Sequence, residues 1–177
     1  MDYDLHWRDS LNTYRSHPTT RHCRRFVVRA LRRYAFTPTT FVFDYGRGTG
    51  LVLDDIRRAF RLRSDQVGGC DTSKEAILQA RQDLSSAELY SGSFPTLLRQ
   101  IGVAVCTEVI EHVPDYRQIQ VWLRDRQAPG GVLILTTLSV PMDPPDEWYG
   151  HIRHFELEAN EQLGARTQLP RREVGDG

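Results

Sequence analysis

The sequence predicts an α/β domain with a doubly wound, mostly parallel sheet covered by helices on both faces. From about residue 36 onward, short apolar runs alternate with longer segments of helical periodicity. The apolar runs are nearly continuous, which is typical of parallel strands that are buried on both sides. The 177 residues are enough for one such domain with a sizeable core.

Five strands and three connecting helices are predicted in alternation. The strands are expected at 41–46, 66–71, 87–92, 102–110 and 131–139. The helices are expected at 50–62, 74–84 and 115–126. Before the first strand, apolar residues recur at helical spacing among many arginines, at Phe26, Val27, Ala30, Leu31 and Tyr34. This pattern predicts an amphipathic helix against the sheet; the alternative is a cationic lid or a phosphate-contacting face.

Charge and hydropathy limit the partners that we expect. The 23 basic and 23 acidic side chains balance, so no overall field draws the protein to nucleic acid. The first residues are polar and acidic, unlike a signal peptide, and no apolar stretch approaches the length of a membrane span. We therefore expect a cytoplasmic protein without a membrane partner, and we do not expect a nucleic-acid partner.

Unusual residues collect where the predicted strands end. In parallel folds these carboxyl ends share one edge, at which ligands bind. They lie at Asp44 to Gly50, with glycines at Gly46, Gly48 and Gly50, and at Asp71, Ser93 and Glu108 to His112. Their glycine pattern differs from a dinucleotide fingerprint, since Leu51 replaces the last glycine, and no Lys-Ser/Thr follows as in a P-loop. Asp71 is placed to accept hydrogen bonds from a ribose diol.

Four ordered motifs resemble the class I S-adenosylmethionine-dependent methyltransferases. They are DYGRGTG (44–50), GCDTS (69–73), CTEVIEHVPD (106–115) and APGGVLILTT (128–137). The EVIEHVPD segment is most similar to ubiquinone-biosynthesis-type O-methyltransferases. The resemblance implies a Rossmann-like fold, with an S-adenosylmethionine-binding domain over 36–156, an N-terminal helical segment over 1–35 and a polar tail over 157–177.

The resemblance also implies roles for single residues toward S-adenosylmethionine. Asp44 would be a cofactor-binding residue, and the backbone of Gly46, Gly48 and Gly50 would approach the methionine end of the cofactor. Asp71 would hold the ribose hydroxyls, although it could also only cap the next helix. Ser93 would contact the adenine amine. Thr107 and Glu108 would line the region of the methionine and the sulfonium.

The implied reaction is methyl transfer to a hydroxyl or amine of a small metabolite, the methyl acceptor. His112 is the best-placed general base, followed by His151 and His154, and no metal is expected. One alternative is a metal-dependent RNA 2′-O-methyltransferase, in which these histidines and Glu108 and Glu111 would bind a divalent ion. Another is a methyltransferase-like binding or assembly module without catalysis.

Two features depart from the family. Arg47 stands where a small residue is usual, and it would either pair with the cofactor's carboxylate or crowd its pocket. The polar tail lacks the apolar runs of the family's C-terminal strand hairpin, so this hairpin is expected to be missing. The fifth strand would then present an exposed apolar edge, which predicts a homodimer through that edge or a marginally stable protein.

Overall fold

The structure is a computed structural model that describes residue 4 and residues 17–139, 141–144, 146 and 150–155. Helices and strands alternate along these residues. In chain order they are α1 (Pro18–Leu31), β1 (Val42–Tyr45), α2 (Leu51–Ala59), β2 (Val67–Asp71), α3 (Lys74–Asp83), β3 (Glu88–Ser91), β4 (Ile101–Thr107), α4 (Tyr116–Asp125) and β5 (Gln127–Thr136). A short 3-10 turn at Ser64–Gln66 leads into β2.

The five strands form one parallel sheet in the order β3-β2-β1-β4-β5. Val42 of β1 pairs with Val67 of β2 on one side and with Val103 of β4 on the other. The strand order reverses between β1 and β4, which is the point where folds of this class open a crevice for ligands. The predicted doubly wound, Rossmann-like fold is confirmed.

The core lies in two layers, one on each face of the sheet. Val42 belongs to the layer under α1, α2 and α3, whereas the next residue, Phe43, belongs to the layer under α4. Trp122 of α4 packs on Phe43 with ring centroids 5.5 Å apart. Because side chains alternate along a strand, the near-continuous apolar runs supply both layers.

Helix α1 is amphipathic as predicted, but its buried stripe differs from the prediction. Val27 and Leu31 are buried, with half-buried Cys23 one turn before them. Phe26, expected on the buried side, is 52% exposed. Arg24 forms two hydrogen bonds of 2.7 and 2.9 Å with Asp55 of α2, so this arginine joins the two helices.

Two strand ends also differ from the prediction, each for a local reason. β4 ends at Thr107 because Glu108 adopts a left-handed backbone with φ of 54°. β5 begins at Gln127, four residues early, and includes a register irregularity opposite Ile101 and Val103 of β4.

The C-terminal tail and the question of the strand hairpin lie outside the described residues. In the described part of the sheet, β5 is an edge strand, as expected. A search of the described helices finds no helix long and apolar enough to cross a membrane.

Candidate functional site

A cavity of about 600 Å³ opens at the carboxyl ends of β1, β2, β3 and β4. The glycine-rich loop after β1 forms its floor, and the first half of α1, including Cys23 and Arg24, forms one wall. At the other end lie Val113 and Leu138. Its volume falls within the range of about 300–1,000 Å³ that is usual for small-molecule sites.

Most of the predicted site residues line this single cavity. They are Gly46, Gly48, Asp71, Ser93, Thr107, Glu108, His112 and His151. The other three predicted residues, Asp44, Gly50 and His154, lie outside the lining. Asp44 is buried beneath the loop, and Gly50 precedes the first residue of α2.

The glycine-rich loop wraps around the end of β2. The amides of Gly46 and Arg47 both donate to the carbonyl of Cys70, at 2.9 and 3.2 Å. Gly46 has a φ of 69°, and an added Cβ there would collide with the side chain of Val109. A glycine at position 46 is therefore required both by the backbone and by the closeness of the segment after β4.

Asp71 fixes the loop from the opposite side. Its Oδ2 accepts a hydrogen bond of 2.7 Å from the amide of Gly48, and its Oδ1 accepts one of 2.9 Å from the amide of Ser73. Ser73 is the N-cap of α3. Burial raises the pKa of Asp71 and these hydrogen bonds oppose that shift. The acid thus links the loop to the start of the helix while it lines the cavity.

Asp44 is a fully buried acid beneath the glycine-rich loop. It is 0% exposed, and neither carboxylate oxygen has a hydrogen-bond partner in the part of the chain that the structure describes. Burial raises the pKa of Asp44 to about 7, the charge of Arg47 lowers it and the charge of Asp71 raises it further. Asp44 therefore changes protonation near neutral pH.

Arg47 is among the residues that line the cavity, and its side chain extends over Gly69 of β2. Its Cδ lies 2.6 Å from the position that a Cβ at Gly69 would occupy, so the missing side chain of Gly69 makes room for it. Its Nη1 lies 3.1 Å from the Cβ position of Gly50, beside Leu84. The three guanidinium nitrogens are buried without a hydrogen-bond partner among the described residues. The cation therefore lies inside the protein, where burial lowers its pKa to about 10.

Two glutamates follow β4. Glu108 Oε1 accepts a hydrogen bond of 2.8 Å from the hydroxyl of Thr136. Glu111 is fully buried; its Oε2 accepts one of 3.1 Å from Thr137, and its Oε1 has no partner among the described residues. Burial, and then the charge of Glu108, raise the pKa of Glu111.

Three histidines lie in a row beyond these acids. His112 Nδ1 is 3.1 Å from the carbonyl oxygen of Gly150. A carbonyl can only accept, so Nδ1 is the donor and Nε2 is the basic nitrogen of the neutral ring. The His151 ring lies edge-on to His112 at 4.7 Å, and its Nδ1 is 3.0 Å from His154 Nε2. His154 thus reaches the cavity only through His151.

Sequence reasoning missed Asp146 and Phe94. Asp146 lies 3.3 Å from His151 Nδ1 and 3.5 Å from His154 Nε2. The spacing of five residues before His151 is a weak signal that could have suggested it. Phe94 lines the cavity beside Ser93 and is 46% exposed, an apolar surface that no motif marks.

Two sets of side chains bring ligand atoms within 4.8 Å of one another and could hold a metal. One is Glu111, His112 and His151; the other is Asp146, His151 and His154. Glu108, which the metal-dependent alternative included, belongs to neither set.

Comparison with a curated protein shows a partial likeness. Over 109 residues the chain is 29% identical to the ubiquinone biosynthesis O-methyltransferase of Azoarcus sp. (strain BH72). The match covers 55% of this chain and 44% of the relative, so it spans less than half of the relative's length.

Solved structures share the fold. The YcgJ protein of Bacillus subtilis is similar with a TM-score of 0.64 at 19% identity, covering 88% of this chain and 71% of that one. The plantazolicin methyltransferase BpumL, solved with a desmethyl-plantazolicin analogue and S-adenosylhomocysteine, is similar with a TM-score of 0.69 at 19% identity, covering 94% and 71%. At such identities the likeness shows the fold alone.

A family model described as a methyltransferase domain matches residues 14–171, far more than half of the chain. This match includes the glycine-rich loop, Asp71 and the segment after β4, the same elements that form the cavity. The chain therefore belongs to the class I S-adenosylmethionine-dependent methyltransferase family.

Proposed function

We propose that this protein transfers a methyl group from S-adenosylmethionine to a hydroxyl or amine of a small molecule. The observation that carries the proposal is the continuity of one cavity, which runs from the Gly48–Asp71 hydrogen bond to His112. A cofactor subsite and a candidate base therefore share the same space. The curated relative's name, an O-methyltransferase, supports oxygen as the acceptor atom.

The residues present fit this cofactor. Asp71 lines the cavity, and each of its oxygens keeps acceptor capacity beyond its backbone hydrogen bond, as a ribose diol requires. Ser93 and the exposed ring of Phe94 offer a polar group and an apolar surface at the end of β3 for an adenine. When bound, S-adenosylmethionine supplies a methyl group on a sulfonium, which needs no acid to leave.

His112 is proposed as the general base. Its Nε2 would accept the proton of the acceptor's hydroxyl when the acceptor oxygen takes the methyl group, which S-adenosylmethionine would supply together with a neutral thioether as the leaving group. The carbonyl of Gly150 holds the ring in the tautomer that leaves Nε2 basic. A positioned base contributes roughly 10²–10⁴-fold to such a reaction. His151, beside it in the wall of the cavity, is the second candidate.

Alignment is expected to contribute more than proton transfer. Holding two reactants in line within one cavity supplies up to roughly 7–11 kcal/mol of the barrier in well-oriented cases. The acceptor end of this cavity is bounded by Val113, Pro114 and Leu138, a mostly apolar surface. We propose that an acceptor with an apolar ring or chain and one reactive hydroxyl or amine occupies it.

The edge of the sheet supports a proposal about assembly. In the described part of the sheet, β5 pairs on one side only, with β4. An unpaired strand edge favours association with a second copy. We propose a homodimer through β5; a monomer in sedimentation equilibrium at micromolar concentration would contradict it.

Calorimetric titration with S-adenosylmethionine and S-adenosylhomocysteine tests the cofactor. We expect saturable binding of both, with one site per chain. The acceptor class is then tested by incubating the protein and S-adenosylmethionine with a panel of phenols, catechols and aryl amines and by measuring methylated products by mass spectrometry. The absence of binding to either cofactor form by a folded sample would refute the enzyme and favour a non-catalytic module. Binding without any methylated product would refute the acceptor class alone.

A further inference from the structure

We propose that Asp146, His151 and His154 form a binding site for a divalent transition-metal ion with the ligand preference of zinc. The site lies beside the cavity rather than in the cofactor loop. It does not depend on the proposed methyl transfer, because its ligands and its test involve neither S-adenosylmethionine nor an acceptor. It differs from the expectation that no metal is bound.

The three side chains converge on one point. His151 Nδ1 lies 3.0 Å from His154 Nε2 and 3.3 Å from Asp146 Oδ1, and His154 Nε2 lies 3.5 Å from Asp146 Oδ2. Around a tetrahedral zinc ion with bonds of about 2.0–2.1 Å, neighbouring ligand atoms are separated by about 3.4 Å. The three observed separations lie on both sides of this value. Small side-chain shifts would therefore bring three ligands onto one ion, with a fourth position left for water.

A hydrogen-bonded triad is the competing arrangement. A neutral imidazole carries one N–H, so a proton on His151 Nδ1 can point well at either His154 or Asp146, but not at both. His154 Nε2 faces the same choice. A cation at the centre would instead use the lone pairs of both nitrogens and of the carboxylate at once. The mutual convergence of all three groups therefore favours an ion.

The ligand positions are held by the protein. The exposed fractions of the three side chains are only 15%, 11% and 5% for Asp146, His151 and His154. The amide of Asp143 donates a hydrogen bond of 2.8 Å to Asp146 Oδ2, and the amide of His151 donates one of 3.0 Å to the Asp146 carbonyl.

The ligand types select the ion. Two imidazole nitrogens and one carboxylate suit zinc, cobalt or nickel, whereas magnesium prefers an all-oxygen shell. His151 lines the cavity, so the bound ion would be at its wall. The other set, Glu111, His112 and His151, shares His151, and its ligand atoms likewise lie within 4.8 Å of one another.

The test uses the whole chain with any affinity tag removed and with metals stripped by a chelator. Zinc is titrated by calorimetry, and cobalt by visible absorption, which reports a four-coordinate site with nitrogen ligands. We expect one zinc ion per chain, a rise in the thermal midpoint on binding, and no response to magnesium.

Asp146→Asn and His154→Ala remove one ligand each, and the first leaves the shape of the side chain almost unchanged. We expect both to lower zinc affinity by at least about 100-fold while the metal-free thermal midpoint stays near that of the wild type. His22→Ala, at an exposed histidine of α1, is the matched control and should bind zinc as the wild type does. Failure of the folded wild-type protein to bind zinc overturns the proposal, and so does equal binding by the Asp146 variant.

Discussion

The amide of Gly48 donates a hydrogen bond of 2.7 Å to Oδ2 of Asp71, which joins the glycine-rich loop to the end of β2. The other oxygen of Asp71 accepts from the amide of Ser73 at the start of α3. Asp71 therefore has two structural hydrogen bonds in addition to its proposed role in binding ribose. Its two proposed roles, capping and binding, are compatible because a carboxylate accepts several hydrogen bonds.

Asp71→Asn is predicted to weaken binding of S-adenosylmethionine and to loosen the loop. An amide has one oxygen, so its NH₂ group must face either the Gly48 or the Ser73 amide, both of which are donors. The loss of one hydrogen bond and the new donor–donor contact should cost about 1–3 kcal/mol. The measurement is cofactor affinity by calorimetry together with unfolding in urea.

The control for this substitution is Asp125→Asn, which makes the same change at an exposed acid that pairs only with the neighbouring Arg124 in the described structure. The free energies of cofactor binding and of unfolding of this control variant should each stay within about 0.5 kcal/mol of those of the wild type. Unchanged cofactor affinity in the Asp71 variant would remove Asp71 from the binding site.

Gly46→Ala is predicted to destabilise the protein more than Gly130→Ala, although both glycines have nearly the same φ, 69° and 71°. The left-handed backbone costs either alanine about 1–2 kcal/mol. At Gly46 the new methyl group also collides with Val109, whereas at Gly130 nothing lies within 4 Å. The collision should add about 1–3 kcal/mol, measured as the difference in free energy of unfolding.

A double variant separates the two causes. Val109→Ala removes the methyl groups that the new Cβ would meet, so it should recover part of the additional loss at Gly46. It should leave the cost at Gly130 unchanged, since the two sites are independent. Equal destabilisation by the two glycine substitutions would show that the loop or Val109 moves apart at no measurable cost in free energy.

The fold and the location of the site could be predicted because their signals are local. Each strand carries its own apolar run, and the parallel arrangement places every carboxyl end at one edge. Details that depend on packing were missed. Helical spacing alone did not determine which side of α1 is buried. The sequence predicted Phe26 on the buried side, whereas in the structure Cys23 extends the buried side formed by Val27 and Leu31. The early start of β5 at Gln127 was hidden by Pro129 and Gly130, which usually mark turns.

The positions of Arg47 and Asp146 depend on residues that are distant in sequence. Arg47 turns inward because Gly69 of β2 has no side chain, and nothing near residue 47 reveals this. Asp146 meets His151 and His154 only after the segment folds back on itself, with the amide of His151 bonded to the Asp146 carbonyl. A sequence pattern identifies such residues as candidates, and only the fold decides which of them meet.

Arg47→Met is predicted to stabilise the protein. The substitution keeps the approximate volume over Gly69 and removes a buried cation whose nitrogens have no hydrogen-bond partner among the described residues. Replacing a buried ion pair by apolar groups of similar size often stabilises by about 1–4 kcal/mol, and Asp44, whose pKa Arg47 lowers, is protonated and uncharged below about pH 7 once the cation is removed. Arg47 is also among the residues that line the cavity, so cofactor affinity is measured in the same variant. Urea unfolding and calorimetry measure the two effects.

Arg32→Met is the matched control, since it makes the same change at an exposed position and should alter stability by less than about 0.5 kcal/mol. Loss of stability in the Arg47 variant would mean that the guanidinium has partners when the protein is in solution. Loss of cofactor binding alone would mean that Arg47 turns toward the cavity and contacts the cofactor.

Stability is predicted to decrease between pH 5 and pH 8 because of Asp44. The pKa of Asp44 is about 7 in the folded protein against 3.8 for an ordinary Asp, so the folded state holds the additional proton between these values. The stability that this proton contributes is complete below about pH 4 and is lost as the pH rises through 7. At roughly 1.4 kcal/mol per pKa unit, the loss amounts to about 4 kcal/mol in all, of which about 3 kcal/mol falls between pH 5 and pH 8.

Asp44→Asn isolates this contribution, because an amide does not titrate and Glu111, whose pKa is also raised, remains in both proteins. The free energy of unfolding of each protein is measured in urea at pH 5, 6, 7 and 8. The wild type should lose stability relative to the variant over this range, with most of the loss before pH 7. Parallel curves would show that Asp44 is already ionised at pH 5. In that case the charge of Arg47 would lower the pKa of Asp44 by more than is expected for two buried side chains that share no hydrogen bond.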